Sequence, residues 1–177
     1  MPASMPIVSP AYIGRFAPSP SGPLHFGSLI AAVGSYLQAK SQHGQWLVRM
    51  EDIDTPRMVP GINSDILRTL EQFGLLWDGE VLYQSQRLTR YSEIFNQLQQ
   101  RQLIYACQCS RKQISAMGGT YDNRCATKNL NNSNLAWRLR SNNVSTYFTD
   151  LLFGHQQITS QLAQEDYLIK RRDGLFA

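Results

Sequence analysis

The sequence predicts an α/β fold built on crossover connections, followed by a smaller, cysteine-bearing lobe of short strands. Three observations carry the prediction. Apolar runs of strand length alternate with helical periodicities from residue 11 to about 102. The texture changes at Leu103, where short strands and a polar run replace the long helices. Three cysteines, Cys107, Cys109 and Cys125, fall inside the second segment.

Taken in order, Ala11 to Ala17 reads as a short strand, broken by the run Pro18-Ser19-Pro20-Ser21-Gly22-Pro23. A helix from about Ser28 to Lys40 follows, with Leu29, Ile30, Val33 and Leu37 on one face and Gly44 as its stop. Trp46 to Met50 is apolar apart from Arg49 and ends on Glu51, Asp52 and Asp54, the pattern of a parallel strand whose carboxyl end opens on a site. Pro60 and Gly61 precede a second helix carrying Ile62, Ile66, Leu70 and Phe73. A third helix, from about Leu88 to Arg101, turns Tyr91, Ile94, Phe95 and Leu98 inward. Beyond it, Trp137 to Arg140, Thr146 to Phe153 and Asp166 to Lys170 read as strands, Thr127 to Asn134 as a polar run, and Asp173-Gly174 as a turn. The expected segments are thus 11–102, an insertion at 103–165, and a return towards the first segment at 166–177.

An apolar content of 42% is enough for a buried core. No stretch approaches the roughly 18 apolar residues of a membrane span, and Met1 to Pro10 has neither a basic start nor a long apolar run. A membrane protein is not expected, and the cytoplasm is the expected compartment. The net charge of +4 is unevenly placed. Residues 101 to 140 hold Arg101, Arg111, Lys112, Arg124, Lys128, Arg138 and Arg140 against Asp122 alone, seven minus one, or six net positives. A solvated basic face and a surface for nucleic acid both fit that excess.

An odd cysteine count without an export signal argues against a disulfide framework and towards thiolate chemistry or metal. Cys107-x-Cys109, eleven residues, Tyr121, three residues and Cys125 place four donors around one small loop, with Gly118 and Gly119 able to turn the chain back. Zinc favours such thiolate-rich sites, but spacing alone also fits three reduced structural thiols and a packed tyrosine.

A strand, a stiff glycine-containing loop and a helix start make an anion site, because unpaired helix N–H groups and the helix dipole face the ligand. The prolines fix the loop, and His25 stands where it can donate to charge developing on a phosphate. A rigid loop with a surface histidine is the plainer alternative. The whole run is more specific than that. Arg15-Phe16-Ala17-Pro18-Ser19-Pro20-Ser21-Gly22 with Leu24-His25-Phe26-Gly27-Ser28 resembles the first signature of the class I glutamyl-type aminoacyl-tRNA synthetases, and Arg49-Met50-Glu51-Asp52-Ile53-Asp54 resembles their second landmark. In the ordinary glutamyl enzymes a second histidine usually stands where this chain has Ser28. That departure, with Tyr83-Gln84-Ser85-Gln86-Arg87 and the Cys-x-Cys pair, is similar to the glutamyl-queuosine tRNA(Asp) synthetases, a shortened paralogous group. The resemblance runs from Arg15 to Ala177.

The resemblance implies the first half of a Rossmann-type catalytic domain with a small zinc-bearing α+β insertion. It implies tRNA-independent activation of L-glutamate by ATP, with Mg2+ accompanying the nucleotide, and transfer of the glutamyl group to queuosine at the wobble position of tRNA(Asp). Arg15, Phe16, Ala17, Pro18, Ser19 and Glu51 would bind glutamate, Arg15 as a fork for a carboxylate and Glu51 as countercharge to the α-ammonium. His25, Gly27 and Ser28 would bind ATP, with His25 and Ser28 in the catalytic role; Asp52 and Asp54 are expected as helix-capping or loop-organising residues. One structural zinc would sit on Cys107, Cys109, Tyr121 and Cys125. Family members continue past the position of Ala177 into a second half bearing a lysine-rich ATP loop, so the chain is expected to be an incomplete form of a protein that is monomeric when complete. A fragment of an ordinary glutamyl-tRNA synthetase and a noncatalytic zinc-bearing RNA-binding module are the alternatives.

Overall fold

The computed structural model describes residues 12–131, 134–141, 145–158 and 160–177. Of the expected elements, Ala11 and part of the polar run at 127–134 lie outside the described residues. The chain divides into two compact units, Met1–Leu88 and Thr89–Ala177. The division falls ahead of the expected boundary at 102.

The first unit is a right-order β-α-β start. Strand β1 (Ile13–Phe16) and strand β2 (Gln45–Met50) pair in parallel, Ile13 opposite Gln45 and Phe16 opposite Val48, and helix α1 (Phe26–Ser41) makes the crossover. A two-residue strand, β3 (Leu82–Tyr83), adds in parallel to β2 and gives the sheet order β1-β2-β3. Helix α2 (Ile62–Gln72) buries Ile62, Ile66 and Leu70 at i, i+4 and i+8, whereas Phe73 falls on the helix cap and stays exposed. The core gathers Phe16, Trp46, Val48 and Met50 from the sheet with those side chains of α2. Phe16 and Trp46 stack with ring centres 6.2 Å apart.

Helix α1 corrects the expected apolar face. Its fully buried residues are Ala32 and Ala39, while Ile30 and Leu37 are exposed. Small side chains sit under the sheet because the helix lies close to it, and Ser35 on the same side accepts the Trp46 indole N–H at 2.9 Å. Asp78 closes the other end of the pair: its carboxylate accepts the Trp46 backbone N–H at 2.7 Å and the Lys40 ammonium at 2.8 Å.

The second unit takes in helix α3 (Leu88–Gln100) from Thr89 onward, and the helix packs Phe95 edge-on against Trp137, 5.2 Å between centres; Ile94, expected inward, is exposed. Strands β4 (Ile104–Cys107), β5 (Ala136–Leu139) and β8 (Tyr167–Lys170) form an antiparallel sheet in the order β4-β5-β8, with a register shift between Trp137 and Arg138. Between β4 and β5 comes helix α4 (Arg111–Ala116), closed at its start by a reciprocal Ser110–Gln113 capping box. The expected single strand at Thr146–Phe153 is a hairpin, β6 (Tyr147–Asp150) and β7 (Gly154–Gln157): the Asp150 carboxylate accepts the Leu152 and Phe153 N–H groups at 2.8 Å each and turns the chain. A short helix α5 (Ser160–Ala163) precedes β8. The Asp173-Gly174 turn is present, with the Arg171 N–H donating to the Leu175 carbonyl at 2.7 Å.

The basic excess of residues 101–140 is partly internal. Arg138 is buried, Arg124 pairs with Asp122 at 2.8 Å, and Arg140 donates to the carbonyls of Gln102 and Ala126. Those three guanidiniums are held by the chain itself, so the excess does not form one free basic face.

Candidate functional site

In the first unit the loop after β1 is tied to the end of β2. The Glu51 N–H donates to the Pro18 carbonyl at 2.9 Å, the Val59 N–H to the Pro20 carbonyl at 3.1 Å, and Pro20 is fully buried. The stiff loop therefore has a fixed seat at the carboxyl end of the parallel strands, where an α/β sheet opens its binding crevice. A cavity of about 640 Å³ opens there, and Phe16, Ala17, Pro18, Ser19, His25, Gly27 and Ser28 all line it.

His25 is the N-cap of α1, so the helix begins at Phe26 rather than at Ser28. Its Nδ1 accepts the Ser28 backbone N–H at 3.1 Å, and its Nε2 lies 3.1 Å from Ser28 Oγ. With Nδ1 occupied as acceptor, the neutral ring carries its hydrogen on Nε2 and donates it to Ser28 Oγ, an assignment made from the hydrogen-bond pattern. Ser28 then has its own hydroxyl hydrogen to offer elsewhere. Gly27 permits this arrangement, because a Cβ at that position would come 3.1 Å from the imidazole Cε1.

Glu51 borders a second, smaller cavity of about 170 Å³ together with Ser19, Ser21, Asp54 and Arg57. Its carboxylate is engaged by Arg49, Nη2 to Oε1 at 2.6 Å. Arg15 lines neither cavity; it is exposed on β1 opposite Leu47. The structure thus brings together the loop residues with His25, Gly27 and Ser28, puts Glu51 beside Ser19, and leaves Arg15 apart. Arg49 escaped the sequence reading, although its signal was present: two residues before Glu51 on a strand, it projects to the same face. Asp52 organises the loop as expected, buried and accepting the Ser85 N–H at 2.8 Å and the Ser85 hydroxyl at 2.5 Å.

In the second unit, Cys107 ends β4, Cys109 follows, and Gly118 and Gly119, at φ 91° and 86°, turn the chain so that Tyr121 and Cys125 return to them. The three sulfurs lie within 4.8 Å of one another and can hold a metal ion. Cys109 and Cys125 are 3.7 Å apart; the Tyr121 hydroxyl stands 3.4 Å from the Cys107 sulfur and accepts the Cys125 N–H at 3.1 Å. The surroundings move these groups in different directions. Burial, with the neighbouring Cys125 sulfur, pushes the Cys109 thiol up to about 12. At Cys125 burial acts the same way but is outweighed by hydrogen bonds from Tyr121 and the Gln108 backbone, so that thiol is lowered. Burial raises the Tyr121 phenol above its ordinary value. A cavity of about 800 Å³ lies beside the cluster, lined by Cys107, Cys109, Arg111, Arg138 and Arg172 among others.

The family model for tRNA synthetases class I (E and Q), catalytic domain, matches residues 13–167. The chain is 59% identical over 166 residues to a glutamyl-Q tRNA(Asp) synthetase of Pectobacterium atrosepticum, covering 94% of this chain and 52% of that protein. It is 57% identical over 177 residues to the protein of the same name from Vibrio vulnificus, covering 100% of this chain and 58% of that one. The chain therefore spans about half the length of the curated relatives it matches. Among solved structures, a glutamate tRNA ligase from Elizabethkingia meningosepticum in complex with its amino acid superposes with a TM-score of 0.75 at 23% identity, over 95% of this chain and 40% of that one, a likeness of fold. Among the described residues no helix is long and apolar enough to cross a membrane.

Proposed function

This chain belongs to the class I tRNA synthetase family for glutamate and glutamine, and from that membership we propose that it serves the ATP-dependent activation of L-glutamate, without tRNA, and its transfer to queuosine at the wobble position of tRNA(Asp). The observation that carries the reading is the start of α1: a serine hydroxyl, oriented by His25, at the mouth of the cavity formed by the loop after β1. In the first step a glutamate carboxylate oxygen bonds to the α-phosphorus of ATP, and the bond from that phosphorus to the pyrophosphate oxygen breaks. Mg2+ travels with the nucleotide. Such a displacement depends on positioning and on donors for the phosphoryl oxygens. Ser28 offers its hydroxyl hydrogen, and His25 holds that hydroxyl by donating from Nε2. Backbone N–H groups of the first turn of α1 add to the positive end of the helix.

Glu51 offers a countercharge to the α-ammonium of glutamate, and Arg15 a fork for a carboxylate. Arg49, already on Glu51 at 2.6 Å, orients that carboxylate for the ammonium. Phe16, Ala17, Pro18 and Ser19 supply the wall of the cavity that His25, Gly27 and Ser28 also line. We place the complete protein in the cytoplasm as a monomer.

Cys107, Cys109, Tyr121 and Cys125 would hold one zinc ion. Tetrahedral zinc with bonds of about 2.3 Å to sulfur sets neighbouring sulfurs about 3.8 Å apart, and the Cys109–Cys125 separation of 3.7 Å fits that edge. When bound, the metal supplies a cross-link of the 107–125 loop and no chemistry of the transfer.

Glutamate-dependent pyrophosphate exchange and charging of queuosine-containing tRNA(Asp), set against tRNA(Glu), test the reading on the protein at the full length of its relatives. Exchange without tRNA and charging of tRNA(Asp) alone are expected. Charging of tRNA(Glu) would move the assignment to an ordinary glutamyl enzyme, and absence of any exchange would end the catalytic reading.

A further inference from the structure

Tyr121 lies between the sulfur cluster and a buried cation. The Arg138 guanidinium carbon is 3.7 Å from the centre of the Tyr121 ring, and the residue is only 5% exposed. From β5 its Nη1 donates to the Asp166 carbonyl at 2.6 Å and faces the Glu165 carboxylate at 3.6 Å, while Nε is buried with no hydrogen-bond partner among the described residues. The Asp166 carboxylate is taken by the Tyr105 hydroxyl at 2.7 Å and the Ser141 N–H at 2.6 Å.

A buried guanidinium is costly unless opposite charge and hydrogen bonds compensate it, and one loose pair with Glu165 leaves much of that cost standing. The ring face of Tyr121 offers further attraction. The hydroxyl of the same ring stands 3.4 Å from the Cys107 sulfur, in the cluster of three sulfurs. As thiolates on a divalent ion they leave the buried group one net negative charge, three minus two, before Tyr121 contributes. Arg138 is the one buried cation among the described residues, and it stacks on the tyrosine of this set.

We propose that Arg138 is a positioning residue of the metal centre: stacked on Tyr121, it fixes the ring with its hydroxyl towards Cys107 and Cys125, and its charge balances the anionic donors. The proposal rests on reading Cys107, Cys109, Tyr121 and Cys125 as those donors. Outer partners of this kind orient the ligands that touch a metal and tune its hold.

The test is Zn2+ affinity of the 177-residue chain, measured by competition with a chromophoric chelator for the wild type, Arg138→Met, Tyr121→Phe and the double variant. Arg138→Met is expected to weaken Zn2+ binding about 10- to 100-fold. In the Tyr121→Phe background the same change should cost clearly less, because its route to the metal has gone. Replacement of Zn2+ by Co2+ adds a spectroscopic reading: the ligand-to-metal absorption of Arg138→Met should shift, which a distant packing change would not produce. Where Arg138→Met does not fold, Arg138→Lys, which keeps the charge without the stacked plane, carries the same cycle. Arg140→Met, whose guanidinium lies 4.8 Å over the Tyr105 ring, is the comparison. Unchanged affinity in Arg138→Met, equal losses in both backgrounds, or an equal loss in Arg140→Met overturns the role of Arg138. Wild-type affinity in Cys125→Ser overturns the donor assignment itself, and the proposal with it, by a result that the Arg138 variants cannot mimic.

Discussion

The sulfurs of Cys109 and Cys125 stand 3.7 Å apart, unbonded, with the Cys125 N–H and the Cys107 sulfur both at the hydroxyl of Tyr121. That distance is too long for a disulfide and short enough for one ion to bridge. Protein purified without added metal should carry one zinc per chain, and Cys125→Ser should lose it. After chelation, mild oxidant should join Cys109 to Cys125, seen by peptide mapping as the loss of two hydrogens; the loaded chain should resist. A metal-free preparation as stable as the loaded one would refute the structural role.

Asp52 should be worth more than an ordinary loop carboxylate. It is buried and holds both the N–H and the hydroxyl of Ser85. Asp52→Ala should cost about 1–3 kcal/mol in urea unfolding, since it removes a charged acceptor from two donors at once. Ser85→Ala should cost less, because the backbone N–H still reaches the carboxylate. The two variants costing the same would argue against the backbone contact.

Stability of the first unit should carry an acid-sensitive component from Asp78. The hydrogen bond from Lys40, then that from the Trp46 N–H, holds its carboxyl below the ordinary 3.8. A carboxylate depressed in the folded state stabilises above its unfolded value and loses that contribution as pH falls through the folded one. Asp78→Ala should therefore lower stability near neutral pH by no more than about 1 kcal/mol, because solvent screens a carboxylate 37% exposed, with the gap to wild type closing only below pH 3.8. A gap that stays constant down to full acid would contradict the assignment.

Gly27→Ala should disturb His25 before it disturbs the helix. The added Cβ meets the imidazole at 3.1 Å, so the ring must give by a few tenths of an ångström and loosen its contacts to Ser28. Nitrogen chemical shifts of His25 should lose the pattern of a Nδ1 acceptor and a Nε2 donor, while helix content by circular dichroism is kept. An unchanged imidazole signal would show that the ring has room the geometry denies.

The strand, loop and helix around His25 were legible because prolines, glycines and apolar spacing act locally, and the loop's seat follows from them. The face of α1 was not: Ile30 and Leu37 outrank Ala32 and Ala39 in hydropathy, yet close approach to the sheet selects the alanines. The Cys107, Cys109, Tyr121, Cys125 loop could be read from spacing as four donors. Arg138, which stacks on Tyr121, could not, because it reaches the ring from another strand. Similarly, the turn at Asp150 depends on side-chain hydrogen bonds to Leu152 and Phe153 that an alternating pattern does not reveal. Arg15 and Glu51 were read as a pair from their places at two strand ends, whereas Glu51, just past the end of β2, meets Arg49 two residues earlier in the chain.

The order of strands in the second sheet has a consequence during synthesis. As the chain leaves the ribosome, Cys107, Cys109, Tyr121 and Cys125 are all available before β5 is made, and β5 before β8. The loop that joins β4 to β5 can close while β4 still has no neighbour, and the antiparallel pairing of Cys107 with Ala136 then begins from a chain already drawn together at its base. The newest strand, β8, is added last, onto β5, so assembly of this sheet runs in the same direction as translation.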